Sequence, residues 1–276
     1  GMAHWPDPGG VGDQAAWIVD AFAELPFSGN PASVVLLTEE MPEQYLQAVA
    51  REFNLSETAF LRRASDENQW SLRWFTPSCE VDLCGHATLA AAMALADAGE
   101  ASDQIVFHTR SGPLFVNMVS GGVEMDFPAL PFWPSVVDER LAGALGVRPV
   151  AQYSSTMDVL VEIESAQQVA LLAPRMDQLS QIACRGVIAT AVSDSPGIDF
   201  VSRFFAPRAG VLEDPVTGSA HCLLGPFWSA RLGHDRLVGR QVSARPGTVG
   251  VRMVGDRVTL AGSGRIVARG ELTGDT

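Results

Sequence analysis

Two short polar stretches stand directly in front of two apolar stretches, and they carry most of the residues able to do chemistry. Asp82-Leu83-Cys84-Gly85-His86 precedes ATLAAAMALA (87–96), and Glu213-Asp214-Pro215-Val216-Thr217-Gly218-Ser219 precedes AHCLLGPFWSA (220–230). Neither apolar stretch has a polar face, the pattern of a helix buried on all sides. A polar, glycine-containing start to a buried helix offers free backbone N–H groups and the positive end of the helix dipole, which together attract an anion. Two such starts facing one cleft can hold two acidic groups, or one carboxylate and the negative charge it acquires in reaction. Asp214, Thr217 and Ser219 are also ordinary N-cap residue types, and for one helix start alone capping is the simpler reading. Recurrence of the pattern at equivalent places in a repeat favours a site. A further candidate is Glu57, in Asn54-Leu55-Ser56-Glu57-Thr58, which interrupts a run otherwise of Leu, Thr, Ala and Phe. On spacing alone it reads either as a solvent-facing glutamate at a strand start or as a general base whose pKa is raised by burial.

Other chemistries find little support. The chain has no G-x-G-x-x-G after a predicted strand, no Walker A loop, no H-E-x-x-H and no G-x-S-x-G. Cys79 and Cys84 have no second cysteine pair nearby, and His221-Cys222 stands isolated, so core cysteines are expected rather than zinc ligands. Neither a metal nor a cofactor is expected. The charged residues are 19 Arg, no Lys and 32 Asp or Glu, giving a net charge of −13. Without a basic cluster such a chain is a poor ligand for nucleic acid and lacks the attraction to anionic lipid that a basic face gives. The longest strongly apolar run, 87–96, is too short for a membrane span of about 20 residues. Four cysteines and no signal-peptide pattern point to a cytoplasmic protein with reduced thiols.

The elements that position these residues come in two similar sets. Arg73-Trp74-Phe75-Thr76-Pro77 is echoed by Arg203-Phe204-Phe205-Ala206-Pro207, Gly85-His86-Ala87 by Gly218-Ser219-Ala220, and Thr109-Arg110-Ser111-Gly112 by Ala244-Arg245-Pro246-Gly247. Three anchors in one order indicate a duplicated half. Runs rich in β-branched and aromatic residues predict strands at 17–23, 33–37, 58–61, 70–76, 106–109, 114–119 and 123–127, then at 159–163, 187–192, 199–205, 249–254 and 258–260. Residues 41–53 read as an amphipathic helix with Pro42 in its first turn. Short strands with tight turns argue for largely antiparallel sheets. The fold class is therefore α+β: two pseudo-repeated halves, each a mostly antiparallel sheet rolled around a central buried helix. The first half is expected at 13–128 plus 264–276 and the second at 129–263, after a flexible lead at 1–12. Residues 128–134 (PALPFWP) read as an irregular linker. Each half is expected to hold its own core, with closure hinged at 128–134 and 262–265.

At these residues the chain resembles the PhzF-like isomerases of phenazine biosynthesis, relatives of diaminopimelate epimerase and proline racemase. The resemblance runs through DAFAELPFSGNPASVVLL (20–37), NLSETAFL (54–61), RWFTPSCEVDLCGHATLA (73–90) and EDPVTGSAHC (213–222). It implies the diaminopimelate epimerase-like fold, a site between the halves and a homodimer. It implies a catalytic acid/base at Glu57 and surrounding polar site residues at His86, Asp214 and Ser219. Cys84, Gly85, Ala87, Thr217 and Gly218 then line the substrate site. The reaction implied is a cofactor-independent isomerisation that moves a proton between carbons of a small carboxylated substrate. The epimerase relatives use two thiols, one at each helix start; here Cys84 holds the first place and Thr217 the second. That leaves open a racemase-like dehydratase or epimerase using Cys84 and Thr217, and a member that only binds a metabolite.

Overall fold

The computed structural model describes residues 14–273. The expected lead at 1–12 lies outside them, as do residues 13 and 274–276. In chain order the first half reads β1 (Gln14–Ala21), β2 (Asn30–Leu37), α1 (Glu43–Phe53), β3 (Glu57–Arg63), β4 (Gln69–Phe75), β5 (Glu80–Val81), α2 (Gly85–Asp97), β6 (Gln104–Thr109), β7 (Gly112–Val119) and β8 (Gly122–Pro128). The second reads β9 (Phe132–Ser135), α3 (Glu139–Leu145), β10 (Ala151–Ser155), β11 (Asp158–Glu162), α4 (Ala166–Leu171), α5 (Met176–Leu179), β12 (Gly186–Val192), β13 (Phe200–Ala206), β14 (Val211–Asp214), α6 (Gly218–Leu232), β15 (Arg236–Gln241), β16 (Gly247–Val254) and β17 (Arg257–Gly262). The last strand, β18 (Gly264–Leu272), returns to pair with β1.

The strand pairings repeat themselves. In the first half β2–β3 and β4–β6 are parallel, and in the second β11–β12 and β13–β15 are parallel. The other pairings are antiparallel, as the tight turns predict. The two halves join edge to edge through β8 and β17, where Met125 lies directly opposite Leu260. These two are counterparts in the repeat, so the pseudo-two-fold axis passes through that pair. The equivalence reaches side chains. Arg73 grips Glu80 in a bidentate pair (Nε–Oε1 and Nη2–Oε2, both 2.8 Å). Arg203 grips Glu213 in the same way, at 2.7 and 3.0 Å.

The buried helices behave as their composition demands. In β4, alternation sends Trp70, Leu72 and Trp74 inward, and α2 fills the space inside the curled sheet with Leu89, Leu95 and a series of fully buried alanines. Pro226 lies inside α6 and cannot donate to the carbonyl four residues earlier. That carbonyl, of Cys222, instead accepts a 3.0 Å bond from the Leu130 amide.

Two expectations are corrected. The halves do not hold separate cores: one cluster joins Val19, Leu72 and Leu89 of the first to Phe200, Leu223 and Leu260 of the second. Because β8 and β17 pair, the two rolled sheets share a wall and their interiors run together. Smaller clusters lie under α1 and under α3 to α5. The 128–134 segment is not irregular throughout, since Phe132–Ser135 pairs with β10 and Pro134 sits opposite Tyr153. An edge strand tolerates proline because one flank needs no amide donor. At the second crossing Ser263 Oγ donates to the Ala23 carbonyl at 2.9 Å. No helix among the described residues is long and apolar enough to cross a membrane.

Candidate functional site

The starts of α2 and α6 meet across the pseudo-axis. A Cβ placed on Gly85 would lie 3.5 Å from the Gly218 Cα, in ordinary van der Waals contact, so the two helix starts approach to within the width of one methyl group. Neither helix start has a side-chain cap. Cys84 is the N-cap of α2 and Thr217 that of α6, and neither makes a capping bond. The Thr217 hydroxyl instead donates to Asp214 Oδ2 at 2.6 Å. Gln241 braces the turn: its Oε1 accepts from the Thr217 amide at 2.8 Å, and its Nε2 donates to the Asp214 carbonyl at 2.8 Å.

Glu57 is the first residue of β3, next to the parallel strand β2 at Ala32. Its Oε2 is buried and has no hydrogen-bond partner. Burial first, and then the charge of Asp214, push its carboxyl up to about 8. Burial also raises Asp214 to about 6, against the lowering pull of hydrogen bonds from Thr217 and Asn30 and of the Arg185 charge. Two buried carboxyls so placed resist ionising together.

His86, in the first turn of α2, is buried and has an unpartnered Nε2. Burial depresses its imidazole to about 3, so the ring is neutral. Its Nδ1 lies 3.2 Å from Cys84 Sγ. Burial raises that thiol well above its ordinary range, with the charges of Glu57 and Asp214 adding to the effect, while amides of Ala87 and His86 pull the other way. With the thiol protonated, we assign its hydrogen to His86 Nδ1. The tautomer then carries its proton on Nε2, the free corner of the ring. Ser219, one turn position after Gly218, accepts a 3.0 Å bond from Arg185 Nη2. Ala87, Thr217 and Gly218 are buried around these groups.

The structure thus brings Glu57, Cys84, Gly85, His86 and Ala87 from one half together with Asp214, Thr217, Gly218 and Ser219 from the other. It adds two residues that reasoning from the sequence passed over. Asn30, at the head of β2, donates Nδ2 to Asp214 Oδ1 (2.9 Å) and to the Val216 carbonyl (2.8 Å), and its Oδ1 accepts from Ser56 Oγ (2.7 Å). It ties the residue before Glu57 to Asp214 across the halves. Arg245 of the second half holds the approach to Asn30 by donating to Asp20 Oδ1 (2.9 Å) and the Gly29 carbonyl (3.1 Å). The second addition, Arg185, precedes Gly186. Since Thr58 pairs with Phe75 and Val187 with Phe205, Gly186 occupies the repeat position of Glu57. Carrying the offset between Phe75 and Phe205 back to Glu57 lands on Val187, one residue past Gly186, so the sequence offset finds the neighbourhood and the strand register fixes the place. No side chain fits at Gly186, where a Cβ would lie 2.4 Å from the Phe204 ring.

The model of the family described as phenazine biosynthesis-like protein matches residues 19–270 of the chain. An uncharacterized isomerase of Halalkalibacterium halodurans is 44% identical over 259 residues, which cover 93% of this chain and 97% of the relative. The crystal structure of a PhzF family phenazine biosynthesis protein from Enterococcus faecalis superposes with a TM-score of 0.91 at 39% identity, covering 95% of this chain and all of that one. A probable proline racemase from Agrobacterium radiobacter shares the fold at 10% identity, with a TM-score of 0.62 over 95% of this chain and 93% of its own.

Proposed function

The chain belongs to the phenazine biosynthesis-like family, whose members include proteins named isomerases, and from that footing we propose that it moves a proton between carbons of a small carboxylated substrate, without a cofactor, using Glu57 as the acid/base. The observation that carries this reading is a buried carboxyl with a free oxygen in one half, whose repeat counterpart, Gly186, has no side chain at all. A single group that is base and then conjugate acid suits a proton that leaves one carbon and returns to another.

The steps follow from the surroundings. Ionised Glu57 Oε2 removes a proton from the carbon next to the carboxylate. The electron pair left behind delocalises into that carboxylate, whose oxygens gain charge. First-turn amides of α2 and α6 and the Nε2–H of neutral His86 stabilise this charge, in a setting where dipoles are already oriented and water is excluded. In a substrate with a carbon–carbon double bond next to that carbon, the electron pair also reaches the far carbon of the double bond, and protonated Glu57 delivers the proton there as the double bond shifts toward the carboxylate. With a pKa near 8, about a tenth of Glu57 is ionised at pH 7, and the ionised form is a stronger base than an ordinary carboxylate.

The alternative built on Cys84 and Thr217 has less behind it. The thiol is held protonated by burial, and the threonine proton is already donated to Asp214. The experiment is proton exchange in deuterated water, followed by NMR across small cyclic acids and amino acids, with wild type beside Glu57→Gln. Deuterium entering a carbon position only with wild type supports the reading; equal incorporation by both proteins refutes it.

A further inference from the structure

Beyond the helix starts, the second half carries a cationic pocket that the proton transfer does not use. An open surface depression of about 440 Å³ is lined by Ala183, Cys184, Arg185, Arg208 and Ala209. Arg185 forms the wall between this depression and the candidate site, because the Nη2 that touches Ser219 belongs to the same guanidinium. That guanidinium is fixed before any ligand arrives. Asp158, whose side chain is buried, holds it through Nε–Oδ1 at 2.9 Å and Nη2–Oδ2 at 2.5 Å. The ring of Phe204 lies 5.5 Å from its Cζ. Nη1 makes no hydrogen bond among the described residues.

Arg208 supplies the uncompensated charge. It has no carboxylate partner among the described residues, and its Nη1 reaches only the Ile182 carbonyl, at 3.4 Å. Burial raises the Cys184 thiol beside it, the Asp158 charge adds to the rise, and the Arg208 charge pulls the other way. In a chain with a net charge of −13, two guanidinium groups bordering one depression beside the site form a local positive region. Such a pair suits an oxyanion: Arg185 offers rigid geometry, and Arg208 offers charge on a mobile stem.

The pseudo-symmetry gives the pocket its direction. Position 57 places a carboxyl in the first half; the matching place in the second has Gly186 with Arg185 directly before it. A substrate spanning the site therefore meets an acid/base at one end and a cation at the other. We infer that the Arg185–Arg208 depression is a subsite for a second oxyanion, a carboxylate or a phosphate, on the substrate. The preferred substrate class is then a small dianionic acid, with one carboxylate at the helix starts and the second oxyanion beside Arg208. This rests on the proposed reading of the site for its first carboxylate.

The test is calorimetric binding of butyrate, glutarate and 3-phosphoglycerate to wild type, Arg208→Ala, Arg208→Lys and Glu57→Gln. Wild type is expected to prefer glutarate or 3-phosphoglycerate over butyrate by tenfold or more. Glutarate leading identifies a carboxylate subsite, and 3-phosphoglycerate leading a phosphate subsite. Arg208→Ala should bring the preference close to one, and Arg208→Lys should restore part of it. Arg208 is exposed, so its replacement leaves the core alone, and circular dichroism checks the fold. Equal binding of butyrate, glutarate and 3-phosphoglycerate by wild type, or a preference that survives Arg208→Ala, overturns the subsite. A preference for glutarate or 3-phosphoglycerate shared by wild type and Glu57→Gln, without solvent exchange in either, retains the subsite and rejects the proton-transfer reading. Exchange confined to monoanions does the reverse.

Discussion

Asn30 and Asp214, from opposite halves of the repeat, are joined by a 2.9 Å hydrogen bond from Nδ2 to Oδ1. The same asparagine accepts from Ser56, the neighbour of Glu57. One side chain thus sets the separation of the two carboxyls, and its donation to Asp214 draws that group toward ionisation. Asn30→Ala should lower the exchange rate by about tenfold, the equivalent of one hydrogen bond of about 1.4 kcal/mol. It should also move the Asp214 titration upward. Unchanged rate and titration would show that the bridge is passive.

Glu57→Gln keeps the shape of the side chain and removes its proton exchange. We expect a loss of 10² to 10⁴-fold or more with an unchanged far-ultraviolet dichroism spectrum. A variant that keeps over about a tenth of the rate would assign the chemistry elsewhere.

The pH profile has a defined sign. If ionised Glu57 is the base, kcat/KM should rise with pH and level off above about 8. His86, already neutral with its pKa near 3, should contribute no step between pH 5 and 9. A profile that falls between pH 6 and 8 would mean that protonated Glu57 starts the reaction.

The same groups govern stability in opposite directions. Glu57 has a higher pKa folded than unfolded, so its contribution is complete below about 4.5 and is lost as pH rises through about 8. Glu57→Gln should therefore gain stability over wild type at pH 8 to 9. His86 and His221 are depressed by burial, to about 3 and about 4. Their contributions are complete above about 6.5 and disappear as pH falls toward those values. Urea unfolding at pH 5, 7 and 9 measures both trends.

Cys84→Ser separates one-base from two-base chemistry. A protonated thiol that only orients His86 is replaceable by a hydroxyl, so the exchange rate should stay within about tenfold of wild type. A loss matching that of Glu57→Gln would place the sulfur in the proton path.

Much of the architecture is legible in local patterns. The all-round apolarity of 87–96 and 220–230 announces helices that must be wrapped, and the anchors at Arg73 and Arg203 announce that the wrapping happens twice. The polar residues in front of both helices are visible for the same reason, since a buried helix start is an expensive place for idle polar groups. Other features have no local sign. Pro134 looks like a breaker, yet it sits in a strand because that strand pairs on one flank only. The strands β10 and β15 and the short helices α3 to α5 carry weak patterns and form where neighbouring elements cover them.

By itself, then, the sequence determined the repeat, the central helices and the residue types at their starts, because these depend on composition and spacing along one chain. The tertiary structure decided the rest. Pairing of β8 with β17 merged two expected cores into one. Contact between Gly85 and Gly218 brought the two helix starts together. Asn30 and Arg185 entered the site across separations of 184 and 34 residues, to Asp214 and Ser219. Hydrogen bonds and burial act through space, and the pKa of Glu57 follows from neighbours that its own segment does not contain.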